Sequence, residues 1–299
     1  MKISSVLSAK NLCVSFEIFP PKSHLSVDPA LQTARELCRL SPDFISVTCG
    51  AGGTTRAHTA LIASRIEELG VPSLAHITCI GSSRSEVTGA IDELKRRGVQ
   101  NALALRGDIP QGESTIPGFS HASDLAPLLK TEGFCVGGAC YPEGHPESRS
   151  RDEDIENLRQ KVDAGCDFLT TQMFFDNDML YSFLYRMQSK GIRLPVLAGI
   201  MPVTNAAQIK RMIKLSNAYM PRKLMMMIDR FQDAPEALAQ AGAAYAVDQI
   251  IDLISNGVRG IHIYTMNKSS IAAAIMKAID SIVLAANAKP GAAKGIYGC

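Results

Sequence analysis

The sequence predicts an α/β fold, a TIM-type (β/α)8 barrel, and three observations carry that prediction. Apolar runs bounded by Gly, Pro or Asp recur near residues 12–19, 43–49, 73–80, 100–105, 133–141, 167–172, 194–200 and 259–265. Stretches of helical period separate them, the alternation expected of β-α units around a parallel sheet. All but one of the runs end in polar side chains, namely Glu17, Thr48, His76, Asp108, Tyr141, Gln172, and Thr265 with Asn267. A closed barrel gathers strand C-terminal ends at one pocket, so this list is also a list of candidate site residues.

The connecting segments support the same reading. Ser85 to Arg97 opens with an acidic turn and ends in Lys95, Arg96, Arg97 and Gly98, a helix-stop pattern that suits the macrodipole. Asp154 to Gly165 repeats the form. The connection from residue 201 to residue 258 is too long for one unit; it holds helical patterns at 205–217 and 234–256 and a Met-rich stretch from Lys223 to Arg230. Met225, Met226 and Met227 read as helix core filler. With 299 residues, 46% of them hydrophobic, the chain is expected to form one barrel domain over 1–286 followed by a loose tail over 287–299.

Composition excludes several classes of function. Lys and Arg number 31 against 29 Asp and Glu, a formal net charge of +2, and the signs are dispersed without the basic stripe that nucleic-acid binding requires. Aromatic content is 6%, with no Trp, which leaves no platform for stacking bases. No run of about 18 apolar residues occurs, so a cytoplasmic protein without membrane contact is expected. The eight cysteines form no C-x-x-C pair and read as reduced core residues. His24, His58, His121 and His262 show no metal-ligand spacing, and His76, within an apolar strand, reads as a satisfied core histidine.

Four features carry chemistry. Glu17 and Asp108 each end a strand just before a chain-turning proline, Pro20 or Pro110. The loop Gly50 to Thr55 precedes a helix and suits an anion, although Thr55 replaces the third glycine of a dinucleotide fingerprint. Tyr141-Pro142-Glu143-Gly144-His145-Pro146 pins an aromatic ring, a carboxylate and an imidazole in one rigid loop. Asp154, Asn157 and Lys161 share one helix face, which is either a solvated surface or a seat for ribose and phosphate.

A series of segments runs in consistent order from Ser15 to Lys268. They are Ser15-Phe16-Glu17-Ile18-Phe19-Pro20-Pro21-Lys22, Ser46-Val47-Thr48, His76-Ile77-Thr78-Cys79, Leu105-Arg106-Gly107-Asp108, Tyr141 to Pro146, Lys161-Val162-Asp163-Ala164-Gly165, Thr171-Gln172-Met173-Phe174-Phe175-Asp176, Gly199-Ile200-Met201-Pro202-Val203 and His262-Ile263-Tyr264-Thr265-Met266-Asn267. Together they resemble the methylenetetrahydrofolate reductase family, flavin enzymes that form methyltetrahydrofolate. The resemblance implies a β/α barrel holding FAD without a Rossmann domain, with NADH or NADPH as cosubstrate and folate as substrate. It implies FAD contacts at Thr48, His76, Arg106, Gly107, Asp108, Ala139, Tyr141, His145, Asp154, Asn157 and Lys161. Arg106, His145 and Lys161 then serve as donors to a pyrophosphate.

By the same resemblance, hydride passes from the nicotinamide to FAD and then to the folate, chemistry that belongs to the cofactor. Glu17, kept partly protonated in a dry pocket, is the implied general acid for N10 of the folate. Asp108, kept ionised, is implied to stabilise the cationic iminium and bind the pterin edge. Gln172, Gln208 and Lys268 join Glu17 and Asp108 as implied substrate contacts. Lys268 stands where many members carry arginine and lacks the bidentate fork; Met212 stands where some relatives place an aromatic residue. A chain ending after the barrel implies no regulation by S-adenosylmethionine, and a homo-oligomer is expected. Two other readings stay open: an FAD-holding relay subunit fed by a partner protein, and a flavin-free barrel that passes methyl groups from folate to a corrinoid protein.

Overall fold

The computed structural model describes residues 1–50, 55–108 and 118–288. Eight parallel strands close into a barrel in chain order. They are β1 (Cys13–Ile18), β2 (Phe44–Val47), β3 (Ser73–Thr78), β4 (Asn101–Leu105), β5 (Cys135–Cys140), β6 (Phe168–Thr171), β7 (Val196–Ile200) and β8 (Gly260–Tyr264). Closure sets β1 between β2 and β8, with Ser15 beside His262, Glu17 beside Tyr264, and Glu17 beside Ser46 on the other edge. Each expected strand is present, shortened by a residue or two at its ends.

The helices are α1 (Ile3–Ala9), α2 (Asp28–Cys38), α3 (Arg56–Glu68), α4 (Arg84–Arg96), α5 (Ala122–Thr131), α6 (Arg151–Asp163), α7 (Asn177–Ser189), α8 (Ala206–Ser216), α9 (Arg222–Phe231), α10 (Pro235–Ser255) and α11 (Ser269–Ala288). Local chemistry explains their starts. Ser83 and Glu86 form a reciprocal capping box on α4. On α6 the Ser150 hydroxyl accepts from Glu153 N, so the helix begins ahead of the expected Asp154, with Asp152, Glu153 and Asp154 in its first turn.

Three apolar clusters hold the fold together. The largest fills the layer between sheet and helices, including Ile45, Ile62, Leu125, Leu169 and Ile263. A second lies inside the lower barrel, where Phe44, Leu74, Leu103, Phe168 and Leu197 meet Ile3, Val6 and Leu7 of α1. That helix plugs the end of the barrel away from the strand C-termini. The third is the private core of the long excursion: Leu224, Ile228 and Leu238 pack on Met173, Phe175, Met201 and Val203.

Three expectations change. Met227 packs against the excursion core, but Met225 and Met226 are 43% and 57% exposed; α9 turns only one face inward, and these two side chains fall on the other. The tail boundary also moves, because α11 runs through Ala288 and Asn287 both accepts from Leu12 N and donates to Leu12 O at 3.0 Å. Residues 289–299 lie outside the described residues. Finally, α11 is long and apolar enough by composition to cross a membrane. Lys277 and Asp280 interrupt its apolar run; in the fold Ala272, Ile275 and Ile279 are fully buried against the barrel. All seven described cysteines are free, and Cys13, Cys79, Cys135, Cys140 and Cys166 are buried.

Candidate active site

Side chains alternate in and out along a strand, so each strand presents a ladder to the barrel interior. Cys13 and Phe44 belong to the apolar lower layer. Above them Ser15, Ser46 and His262 are buried polar groups. Above those, the strand ends open on a cavity of about 580 Å³ lined by Glu17, Thr48, His76, Asp108, Tyr141, Gln172 and Tyr264 among others. That volume suits a small-molecule site.

The floor is a hydrogen-bonded cluster around Glu17. The Ser46 hydroxyl donates to Glu17 Oε2 at 3.1 Å, while His262 Nε2 and His76 Nε2 each lie 3.5 Å from the same oxygen. Ser15 Oγ meets the other side of the His262 ring, 2.8 Å from Nδ1. Burial works to raise the Glu17 carboxyl, but the hydrogen bond from His262, the two imidazoles and Ser46 together hold it below the ordinary value. This departs from the expectation of a partly protonated acid. Burial pushes His76 down to about 4, with Glu17 opposing. Nor is His76 a satisfied core histidine, since its Nε2 has no hydrogen-bond partner.

The opposite wall is built on β4, β5 and α6. Arg106 follows β4 and makes a two-pronged pair with the exposed Glu147, at 2.5 and 2.7 Å. Gly107 adopts φ +86°, and a Cβ there would meet the Thr78 Cβ at 3.0 Å, so the turn that presents Arg106 and Asp108 requires glycine. From α6, Lys161 reaches across Gly138 to donate to Ala139 O at 2.6 Å, and burial lowers its ammonium. Asp154, on the same face, is buried and accepts from the Ser148 hydroxyl at 3.3 Å; burial raises its carboxyl. The helix face is therefore a cavity wall at Asp154 and Lys161 rather than a solvated surface. In the Tyr141 loop, the Tyr141 and His145 rings meet edge to face at 4.6 Å.

Between floor and wall, His76 Nε2, Thr78 Oγ1 and Thr170 Oγ1 are buried without a hydrogen-bond partner, and all three residues line the cavity. Native interiors seldom leave such atoms unpaired unless a ligand or water completes them.

The family model of methylenetetrahydrofolate reductase matches residues 2–280. The chain belongs to the methylenetetrahydrofolate reductase family. A 5,10-methylenetetrahydrofolate reductase of Pectobacterium carotovorum is 36% identical over 264 residues, covering 88% of each chain, and that of Escherichia coli gives the same figures. A methylenetetrahydrofolate reductase (NADH) of Arabidopsis thaliana is 32% identical over 92% of this chain, which spans only 49% of that longer relative. Among solved structures, an uncharacterized Clostridium thermocellum protein that binds two copies of 5-methyl-5,6,7,8-tetrahydrofolic acid superposes with a TM-score of 0.64 at 15% identity, covering 94% of this chain and 99% of that one. This last likeness concerns the fold.

As a member of the reductase family the chain is an enzyme that reduces methylenetetrahydrofolate, and the sequence-derived residues can be placed against that activity. The one cavity brings together Glu17, Thr48, His76, Arg106, Gly107, Asp108, Ala139, Tyr141, His145, Asp154, Asn157, Lys161 and Gln172. Gln208 is exposed on α8 and outside the lining, and Lys268 donates to Thr204 Oγ1 at 2.8 Å. Met212 packs on the excursion core. Thr265 and Asn267 are fasteners instead of site residues: Thr265 Oγ1 donates to Glu17 O at 2.7 Å, and Asn267 pairs with both Phe19 N and Phe19 O. Of the Gly50 to Thr55 loop, Gly50 donates to Thr55 Oγ1 at 2.8 Å; residues 51–54 are outside the described residues. Ser46 and His262 as partners of Glu17, and Ser15 as the partner of His262, were not among the sequence-derived site residues. The available signal was the i, i+2 spacing of Ser15 and Glu17 on one strand and of His262 and Tyr264 on another.

Proposed function

We propose that this reductase holds FAD in the strand-end cavity and works in two half-reactions, reduction by NADH or NADPH and then delivery of the hydride to methylenetetrahydrofolate. The observation that carries the reading is the union, in one cavity, of a carboxylate floor at Glu17, a cationic wall at Arg106 and Lys161, and unpartnered polar atoms at His76, Thr78 and Thr170. A long ligand with phosphates, ribose hydroxyls and a flat polar ring matches that set. When bound, FAD supplies the hydride chemistry.

This chain's residues do the rest. Arg106 and Lys161 hold phosphate oxygens by charge-assisted hydrogen bonds, the Arg106 fork exchanging the Glu147 carboxylate for phosphate. Asp154 accepts a ribose hydroxyl, and His76, Thr78 and Thr170 give their free polar atoms to the ring. Gln172 spends its side-chain oxygen on Met173 N at 2.9 Å, which leaves its NH2 group for the folate. Asp108 stands at the rim as the anion beside the cationic one-carbon centre. Glu17 is the group placed to pass a proton to N10 as the folate ring opens.

The test is a visible absorption spectrum of the purified protein followed anaerobically. A flavin band that bleaches with NADH or NADPH and returns on adding methylenetetrahydrofolate supports the reading. A band that ignores both nicotinamides points to electrons from a partner protein, and no band after adding FAD removes the flavin.

A further inference from the structure

Ser15, Ser46 and His262 lie beneath Glu17 inside the barrel, at most 1% exposed, below the reach of any ligand. They form one line of polar groups with a carbonyl at its lower end. Ser15 Oγ is 3.2 Å from Ile261 O and 2.8 Å from His262 Nδ1; His262 Nε2 is 3.4 Å from Ser46 Oγ; and Ser46 Oγ is 3.1 Å from Glu17 Oε2. A hydroxyl has one proton to donate, so Ser15 serves either the carbonyl or the imidazole.

Each choice propagates upward. If Ser15 donates to Ile261 O, its oxygen accepts Nδ1–H, and Nε2 turns a lone pair toward Ser46. Ser46 then donates down to Nε2, and Glu17 meets a bare oxygen that it can engage only as the protonated acid. If Ser15 donates to Nδ1, then Nε2–H and the Ser46 hydroxyl both point up at Glu17, which they hold as a carboxylate. We propose that Ser15 and His262 are positioning residues for Glu17, a buried hydrogen-bond switch whose two settings present it to the ligand as an ionised acceptor or as the proton-carrying acid. The proposal rests on the reading of Glu17 as general acid and says how the acid is made.

The two settings differ by one proton. Glu17 takes it from water while the cavity is open and loses it to the ligand nitrogen; His262 bears one ring hydrogen in both. The other titratable groups facing Glu17 are His76 from β3 and Tyr264 from β8. Neither belongs to the line, because His76 Nε2 has no hydrogen-bond partner and the Tyr264 hydroxyl donates to Thr171 O at 2.6 Å.

The test is nitrogen NMR of the full chain labelled with [15N]histidine, with the His262 signals assigned by their loss in His262→Gln. Because the Glu17 carboxyl is held below its ordinary value, the titration runs from neutral pH down to about pH 3, and the His262 tautomer is expected to change from Nε2–H to Nδ1–H as Glu17 takes up its proton. Ser15→Ala leaves Nδ1 without a partner in either setting and is expected to fix the Nε2–H form, because that form alone keeps its N–H on the Glu17 carboxylate. In that variant folate-driven reoxidation of the flavin is expected to slow about tenfold at neutral pH, with its acid limb displaced about one unit downward, while bleaching by the nicotinamide is retained. A single His262 tautomer across the range overturns the proposal, as does a Ser15→Ala variant with an unchanged pH profile. If that variant does not fold, the wild-type spectrum decides alone. Wild-type protein that takes up no flavin defeats the functional reading instead, and the tautomer measurement still judges the switch.

Discussion

The two ends of the barrel use buried polar groups in opposite ways. At the lower end Asn101 is fully buried and spends its side chain completely: Oδ1 accepts from Ile3 N at 2.8 Å, and Nδ2 donates to Met1 O and Ser73 O. At the upper end His76, Thr78 and Thr170 keep buried polar atoms unpaired. A satisfied network locks α1 and the strands into one arrangement, whereas an unsatisfied one costs stability that a ligand returns on binding. The lower end is therefore built for the fold and the upper end for a guest.

That contrast can be broken or sharpened by substitution. The largest effect is expected from Glu17→Gln, which should reduce folate turnover by about a hundredfold or more while NADH or NADPH still bleaches the flavin; stopped-flow absorbance of each half-reaction reads it, and equal loss of both removes the acid role. Asn101→Ala should cost about 2–4 kcal/mol in urea denaturation, because Ile3 N and Ser73 O are left buried without partners, yet leave kcat of the surviving folded enzyme intact. Loss of activity without loss of stability would erase the division between the two ends.

Smaller effects are expected on the wall. Lys161→Met should weaken flavin retention about ten- to a hundredfold while leaving denaturation midpoints unchanged or higher, since a buried cation without a carboxylate partner is a poor stabiliser. Acid should weaken the ligand-free protein through the floor. His76 has a folded value near 4 against the usual 6.5, so the unfolded chain binds its proton first and stability falls as pH drops through that window. Glu17, held low, adds in the same direction, its contribution being lost as pH falls through its folded value. His76→Gln should flatten this slope in urea titrations at several pH values. The smallest change is expected of Glu147→Gln, which frees the Arg106 fork and should raise FAD affinity about two- to threefold, the scale of an exposed ion pair; an unchanged affinity would show that Glu147 does not compete with phosphate.

The strands were legible because each is an apolar run cut off by Gly, Pro or Asp, and the end of α4 followed from Lys95, Arg96, Arg97 and Gly98, whereas its start depends on a Ser83–Glu86 cap that the acidic first turn alone does not locate. The rim of the cavity was legible too, since rim residues sit where runs end. What lay deeper was not. Ser15 and His262 become neighbours only through the β1–β8 register, and no local pattern announces which distant strand closes a ring. Met225 and Met226 misled for a related reason: apolar composition tells that a helix has an inner face, but three consecutive methionines cannot all occupy it. The lowering of the Glu17 carboxyl depends on the same hidden imidazole.

Ring closure also sets the order of events as the chain folds. Ser15 and His262 are separated by 247 positions, so β1 has only one neighbour until the last strand has been made. The nascent molecule must carry an open sheet edge through most of its synthesis, and such long-range closure is slow. The Glu17 cluster is drawn from both sides of that seam, so it cannot form before β8 exists, and a chain that has failed to close has no acid site at all.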